Sequence, residues 1–99
     1  MEIRKAAVAG TLESSDCMVT VEPGEGALQL ELSSSVIRQY GVQIRRVISE
    51  TLDRLEVREG RVTVVDKGAL DCTIKARVEC AVYRGSETEG KVPWGGVII

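Results

Sequence analysis

Two spacings of apolar residues divide the chain. In its first third, apolar and polar positions alternate with the period of two expected of half-buried strands. Residues 5–12 read as a short strand, and Cys17–Glu22 as a second with Cys17, Val19 and Val21 on one face. Residues 27–33 read as a third, with Leu28, Leu30 and Leu32 facing one way and Gln29 and Glu31 the other. Between them lie two turn signals, Glu13-Ser14-Ser15-Asp16 and Pro23-Gly24-Glu25-Gly26, where side-chain hydrogen bonding and glycine favour a reversal of the backbone. Loops this short predict an antiparallel meander.

The period then lengthens. Ile37, Tyr40, Ile44, Ile48, Leu52 and Leu55 recur every three or four residues, which draws one apolar stripe along a helix. Ser33, Ser34 and Ser35 offer N-caps. Gly41 costs up to about 1 kcal/mol inside a helix, so a break into a short and a long piece is expected there, and Glu59-Gly60 is the expected end. Residues 61–66 return to a strand, and 66–71 form a loop centred on Gly68. The longest alternating run is 72–84: Cys72, Ile74, Ala76, Val78, Cys80 and Val82 against Thr73, Lys75, Arg77, Glu79 and Tyr83. It reads as a further strand. Residues 85–99 form a polar stretch followed by Pro93, Trp94 and an apolar end, expected to be a mobile tail. The pattern as a whole predicts one α+β domain over residues 1–99, an antiparallel sheet of four to five strands with one main helix packed on one face. It does not predict a bundle of four helices.

Composition narrows the function classes. At 99 residues, 43% apolar and 28% charged, the chain fits a single soluble globular domain. A net charge of −2 supplies no basic field to gather nucleic acid or anionic lipid. Its three aromatic residues, Tyr40, Tyr83 and Trp94, make a base-stacking platform unexpected. No apolar run approaches a membrane span, and Glu2, Arg4 and Lys5 interrupt the apolar core a secretory signal needs, so the expected compartment is the cytoplasm. There is no histidine, which removes the commonest general base, the Ser-His and Cys-His pairs and every His-containing zinc site. Cys17, Cys72 and Cys80 are odd in number and form no CxxC. They read as small core hydrophobes rather than disulfides or ligands. No catalytic cluster and no metal site emerge. Arg45-Arg46 reads as a solvated helix face, and Trp94 as either a partner anchor or a residue folded back on the domain. Ser14 and Ser15 read first as turn residues, although an exposed turn is also where a covalent group is reached without disturbing a core.

Longer segments carry a resemblance. The run Ala7-Val8-Ala9-Gly10-Thr11-Leu12-Glu13-Ser14-Ser15-Asp16 is similar to the N-terminal signature of the citrate lyase acyl carrier protein family, the gamma subunits of that complex. The likeness continues through Ser34-Ser35-Val36, Gln39-Tyr40-Gly41, Ile44-Arg45, Asp66-Lys67-Gly68-Ala69-Leu70-Asp71-Cys72, Lys75-Ala76-Arg77-Val78-Glu79 and Pro93-Trp94. The chain departs from the family after Pro-Trp, where Gly95-Gly96-Val97-Ile98-Ile99 replaces an often acidic end. The resemblance implies a non-catalytic carrier whose Ser14 holds a phosphoribosyl dephospho-CoA arm through a phosphodiester. That arm would bear acetyl and citryl thioesters. The implied partners are the alpha (acyl transferase) and beta (citryl lyase) subunits and a prosthetic-group transferase. The carrier subunit of malonate decarboxylase is the near alternative, and an unmodified interaction or scaffold domain the distant one.

Overall fold

The computed structural model describes residues 1–86. In chain order these form β1 (Ala7–Gly10), β2 (Cys17–Glu22), β3 (Leu28–Ser34), α1 (Ile37–Arg54), β4 (Gly60–Asp66) and α2 (Asp71–Gly85). The class is α+β, as the apolar pattern predicts, but the arrangement differs in two respects.

The sheet is mixed rather than antiparallel. Its order is β1-β2-β4-β3. β4 enters between β2 and β3, antiparallel to the first and parallel to the second. The expected meander therefore stops after β2, and β3–α1–β4 is a parallel crossover unit with α1 as its connection. The reason is the apolar pattern of β4. Val62 and Val64 are buried, and a centre position lets them meet valines of β2 on one side and leucines of β3 on the other. The register sets Val19 beside Val64 and Val21 beside Val62, with Leu30 and Leu32 opposite the same two valines. One face of the sheet is thus a continuous aliphatic layer.

The run 72–84 is α2, not a strand. Its buried residues include Ile74, Val78, Ala81, Val82 and Gly85, spaced by four, three, one and three. Alternation misleads here because a period of two contains every multiple of four, so Ile74, Val78 and Val82 satisfy both templates. The residues that break the tie are Cys72 and Ala76, which are exposed, and Glu79, which is buried. Glu79 faces α1, where Arg54 donates to its carboxylate at 3.4 Å. Two helices, not one, cover the sheet, packing against each other and against its valine face.

α1 runs unbroken through Gly41. Ile44, Ile48 and Leu52 of the predicted stripe are buried, whereas Ile37 and Tyr40 are exposed. No serine caps it: the N-cap is Val36, without a side-chain bond, and Ser34 instead accepts from the Val36 amide at 3.1 Å. The helix also ends before Glu59. Val57 N–H donates to Leu52 O, and Glu56 N–H to Asp53 O, with Glu56 at φ +56. This is a Schellman closure with a left-handed glutamate where glycine is usual. The chain's amino terminus donates to the carbonyls of Leu55 and Glu56 at 2.6 and 2.8 Å, placing a positive charge at the negative end of the helix.

Of the cysteines, Cys17 is buried and Cys80 half-buried, but Cys72 is exposed, so the expectation of core packing fails for Cys72. Gly85 closes α2 and Ser86 is its C-cap. Residues 87–99, which include Trp94 and most of the expected tail, lie outside the described residues. No helix among the described residues is long and apolar enough to cross a membrane.

Candidate functional site

Three connections meet at one end of the molecule: the β1–β2 tip at 11–16, the β3–α1 connection and the β4–α2 loop. The tip begins at Gly10, whose φ of +99 belongs to the left-handed region that glycine tolerates. A Cβ on Gly10 would run into the Cys17 carbonyl oxygen and press on Arg77 Cδ. This glycine is therefore required by close approach as well as by torsion. Thr11 N–H donates to Cys17 O at 3.2 Å and Asp16 N–H to Glu13 O at 3.2 Å. The second bond makes 13–16 a β-turn with Ser14 and Ser15 as its central residues. Ser15 takes the left-handed conformation, φ +64. Both serines are exposed.

Asp16 organises this tip. Its carboxylate accepts from Thr11 Oγ1 at 2.7 Å and from the Cys17 amide at 2.7 Å. Arg77 of α2 donates to it through Nε at 3.0 Å and Nη2 at 2.8 Å. A two-pronged guanidinium–carboxylate contact is both stronger and more directional than a point-charge pair. The Arg77 guanidinium, then the Thr11 hydroxyl, then the Cys17 amide hold the Asp16 carboxyl well below the usual carboxylate range, and the Arg77 guanidinium is raised in return, chiefly by Asp16. Thr11 Oγ1 also accepts from the Glu13 amide at 3.2 Å. The tip is therefore tied to a helix 61 residues away in sequence.

A second carboxylate shapes the neighbouring loop. Asp66 is buried, and its carboxylate accepts from Ser34 Oγ at 2.7 Å, Gly68 N–H at 3.2 Å and Ala69 N–H at 2.9 Å. This loop turns on Gly68 at φ +90. It is fastened to the tip through main chain: Ser15 N–H donates to Lys67 O, and Lys67 N–H donates to Asp16 O, each at 2.9 Å. Lys67 is exposed and stands immediately beside the serine pair.

Ser14 is held at an exposed turn on a braced tip, and its hydroxyl is engaged by no other described group. Nothing bonded to it acts as a base. Cys17, the cysteine nearest in sequence, is buried. Burial, then the charges of Asp16 and Asp66, push its thiol up to about 11. No group of three or more potential metal-ligating side chains occurs among the described residues. Ser14 thus presents an exposed hydroxyl to which no base is bonded among the described residues.

The turn signal around Ser14 and the loop around Gly68 are both legible in sequence. The partnership of Asp16 with Arg77 and the role of Asp66 are not. All three residues lie in the segments that carry the family resemblance, but no local pattern says that residue 16 touches residue 77.

Residues 4–85 match the family described as "ACP: Malonate decarboxylase delta subunit (MdcD)". The citrate lyase acyl carrier protein of Cronobacter sakazakii is 55% identical over 89 residues, covering 90% of this chain and 92% of that protein. The protein of the same name from Streptococcus mutans is 56% identical over 90 residues, covering 90% and 88%. A chain of a Pseudomonas malonate decarboxylase hetero-tetramer, solved with malonate, superposes with a TM-score of 0.73 at 22% identity, over 83% of this chain and 84% of that one. At that identity the last likeness speaks for the fold alone.

Proposed function

Since this chain belongs to the citrate lyase acyl carrier protein family, we propose that it is the non-catalytic acyl carrier subunit of a citrate lyase, with a phosphoribosyl dephospho-CoA arm on Ser14. The single observation carrying this reading is the setting of Ser14: an exposed hydroxyl, central in a turn that Asp16, Arg77 and the Lys67 main chain brace from three sides. That setting fits the group. Exposure admits a transferase, and the rigid tip keeps a bulky substituent clear of the core. Lys67, whose main chain is bonded to residues 15 and 16, carries a cation that a phosphodiester on Ser14 would attract.

When attached, the arm supplies a terminal thiol on which an acyl group rides as a thioester. The chain itself holds the arm's root in a fixed direction. It thereby confines the acyl group to the neighbourhood of the alpha and beta subunits and replaces free diffusion by a high effective concentration. Neither acid–base chemistry nor nucleophilic attack is asked of its residues.

The test is peptide mass spectrometry after co-expression with the prosthetic-group transferase. The added mass is expected on the peptide containing Ser14. It should be lost in Ser14→Ala and kept in Ser15→Ala, because the bond made by residue 15 to Lys67 uses the main-chain amide and survives the substitution. An added mass on Ser15, or on the Ser14→Ala protein, would sink the assignment. No added mass under conditions that modify a known carrier would favour an unmodified scaffold. The family description that mentions malonate decarboxylase keeps one second reading alive, a carrier for malonyl and acetyl groups. The two part on which complex co-purifies with the chain and whether it consumes citrate or malonate.

A further inference from the structure

An apolar groove opens beside the Ser14 tip, and nothing in the presentation of the hydroxyl uses it. Its volume is about 560 Å³, within the range of pockets that take small organic groups. Tyr40 and Ile44 of α1 line one side, and residues 68–72 line the other. Two of its side chains are unusually bare for apolar residues: Leu70 is 71% exposed and Tyr40 56%. Large apolar side chains left open around a concavity mark a binding surface more often than a solvent face. Its polar rim is one pair, Gln43 Nε2 donating to Asp71 Oδ2 at 2.9 Å.

The groove is continuous with the attachment turn. Ser15 and Asp16 are hydrogen-bonded to the main chain of Lys67, and the groove wall begins at the next residue, Gly68. Along that path Ser14 and Gly68 are separated by at most roughly 13 Å, counting two virtual Cα–Cα bonds and one hydrogen-bonded crossing. A flexible substituent on Ser14 can span that gap.

Resting on the carrier reading above, we propose that this groove is the resting site of the arm's own distal end, its neutral, amide-bearing chain and thiol or acetyl thioester. The chemistry of the walls selects that end. Tyr40, Ile44, Ala69 and Leu70 favour apolar segments. Gln43 and Asp71 can exchange their mutual hydrogen bond for bonds with amides. The Asp71 carboxylate disfavours a polyanionic acyl group, so a citryl thioester is held out of the groove while the acetyl form settles into it. The carrier thus shelters the acetyl form and exposes the citryl form to the partner enzyme.

The experiment compares backbone amide NMR spectra of the full chain without and with the arm, loading being established first by intact mass. On loading as the acetyl form, shifts are expected both at the tip, 11–16, and along the groove, around 40–44 and 68–72. In Leu70→Asp the added mass and the tip shifts should remain while the groove shifts disappear. This variant keeps its fold because residue 70 is an exposed N-cap of α2, a position that aspartate suits better than leucine. Loading as the citryl form should also leave the groove unshifted. Shifts confined to the tip despite full loading, groove shifts that persist in Leu70→Asp, or groove shifts that arise only when an alpha or beta subunit is added would each overturn the proposal, the last by making the groove a protein-docking face. Absence of the added mass would instead remove the carrier reading beneath it, and the mass measurement separates that failure from the others.

Discussion

At the scale of single residues, Asp16 is the most heavily committed side chain near the site. Its carboxyl lies below its ordinary value because Arg77, Thr11 and the Cys17 amide all favour the charged form. A carboxylate whose folded-state pKa is depressed adds stability that is fully present above the unfolded value of 3.8 and is lost as pH falls through the folded value. The wild-type domain should therefore lose stability on acidification below about pH 4, and part of that loss should be absent in Asp16→Asn. At neutral pH the same substitution should cost about 1.5–3 kcal/mol, typical of hydrogen bonds to a charged group. Urea unfolding at pH 7 and pH 3 measures both, and an equal acid loss in the two proteins would contradict this account. The same variant should accept the arm more slowly, since it frees the tip from α2.

At the scale of elements, two backbone conformations decide how segments join. Gly10→Ala forces a Cβ against the Cys17 carbonyl in a left-handed conformation. A cost of about 2–4 kcal/mol is expected, accompanied by slower modification of Ser14, because the strain falls where β1 enters the tip. Thermal unfolding and mass spectrometry of one preparation read the two effects. The opposite substitution is favourable at the end of α1. Glu56 holds the left-handed position of the Schellman closure, where a side chain costs roughly 1–2 kcal/mol. Glu56→Gly should therefore raise stability by about 0.5–1 kcal/mol after the extra chain entropy of glycine is deducted. A lower melting temperature for this variant would mean that the Glu56 side chain holds something that the backbone geometry does not explain.

At the scale of the whole molecule, the fold divides its labour between two ends of the sheet. Val19 and Val21 of β2 and Val62 and Val64 of β4, with Ile48, Leu52, Ile74 and Val78 of the helices, are buried in one core. The carboxyl ends of the parallel pair β3 and β4 lead into the connections that surround the serine turn. On the carrier reading, a rigid layer with Ser14 on a braced connection serves presentation. On the same reading, the whole-chain expectation is that purified, fully loaded protein does not cleave citrate without its partner subunits, because that reading assigns acyl exchange and citryl cleavage to the alpha and beta subunits. A coupled assay for oxaloacetate checks this. Turnover by the isolated chain would require a catalytic group that the presentation reading does not contain.

The sequence by itself determined what depends on neighbours along the chain. Cys17–Glu22 forms a strand with the predicted bounds, the turn at 13–16 and the loop at Gly68 fall where short polar and glycine residues favour them, and α1 buries its apolar stripe from Ile44 to Leu52 but not at Ile37 and Tyr40. The family resemblance added Ser14 as the candidate residue. Tertiary structure decided the rest. Whether 72–84 is a helix or a strand turned on whether Cys72, Ala76 and Glu79 face a partner or solvent, and a sequence whose apolar positions fit both periods contains no answer until α1 is there to bury Glu79 against Arg54. The place of β4 depended on which neighbours its valines met. The bracing of Ser14 depended on Arg77 crossing from another element to Asp16. Each of these is a long-range contact, and the closure of the chain that creates it leaves no mark on local spacing.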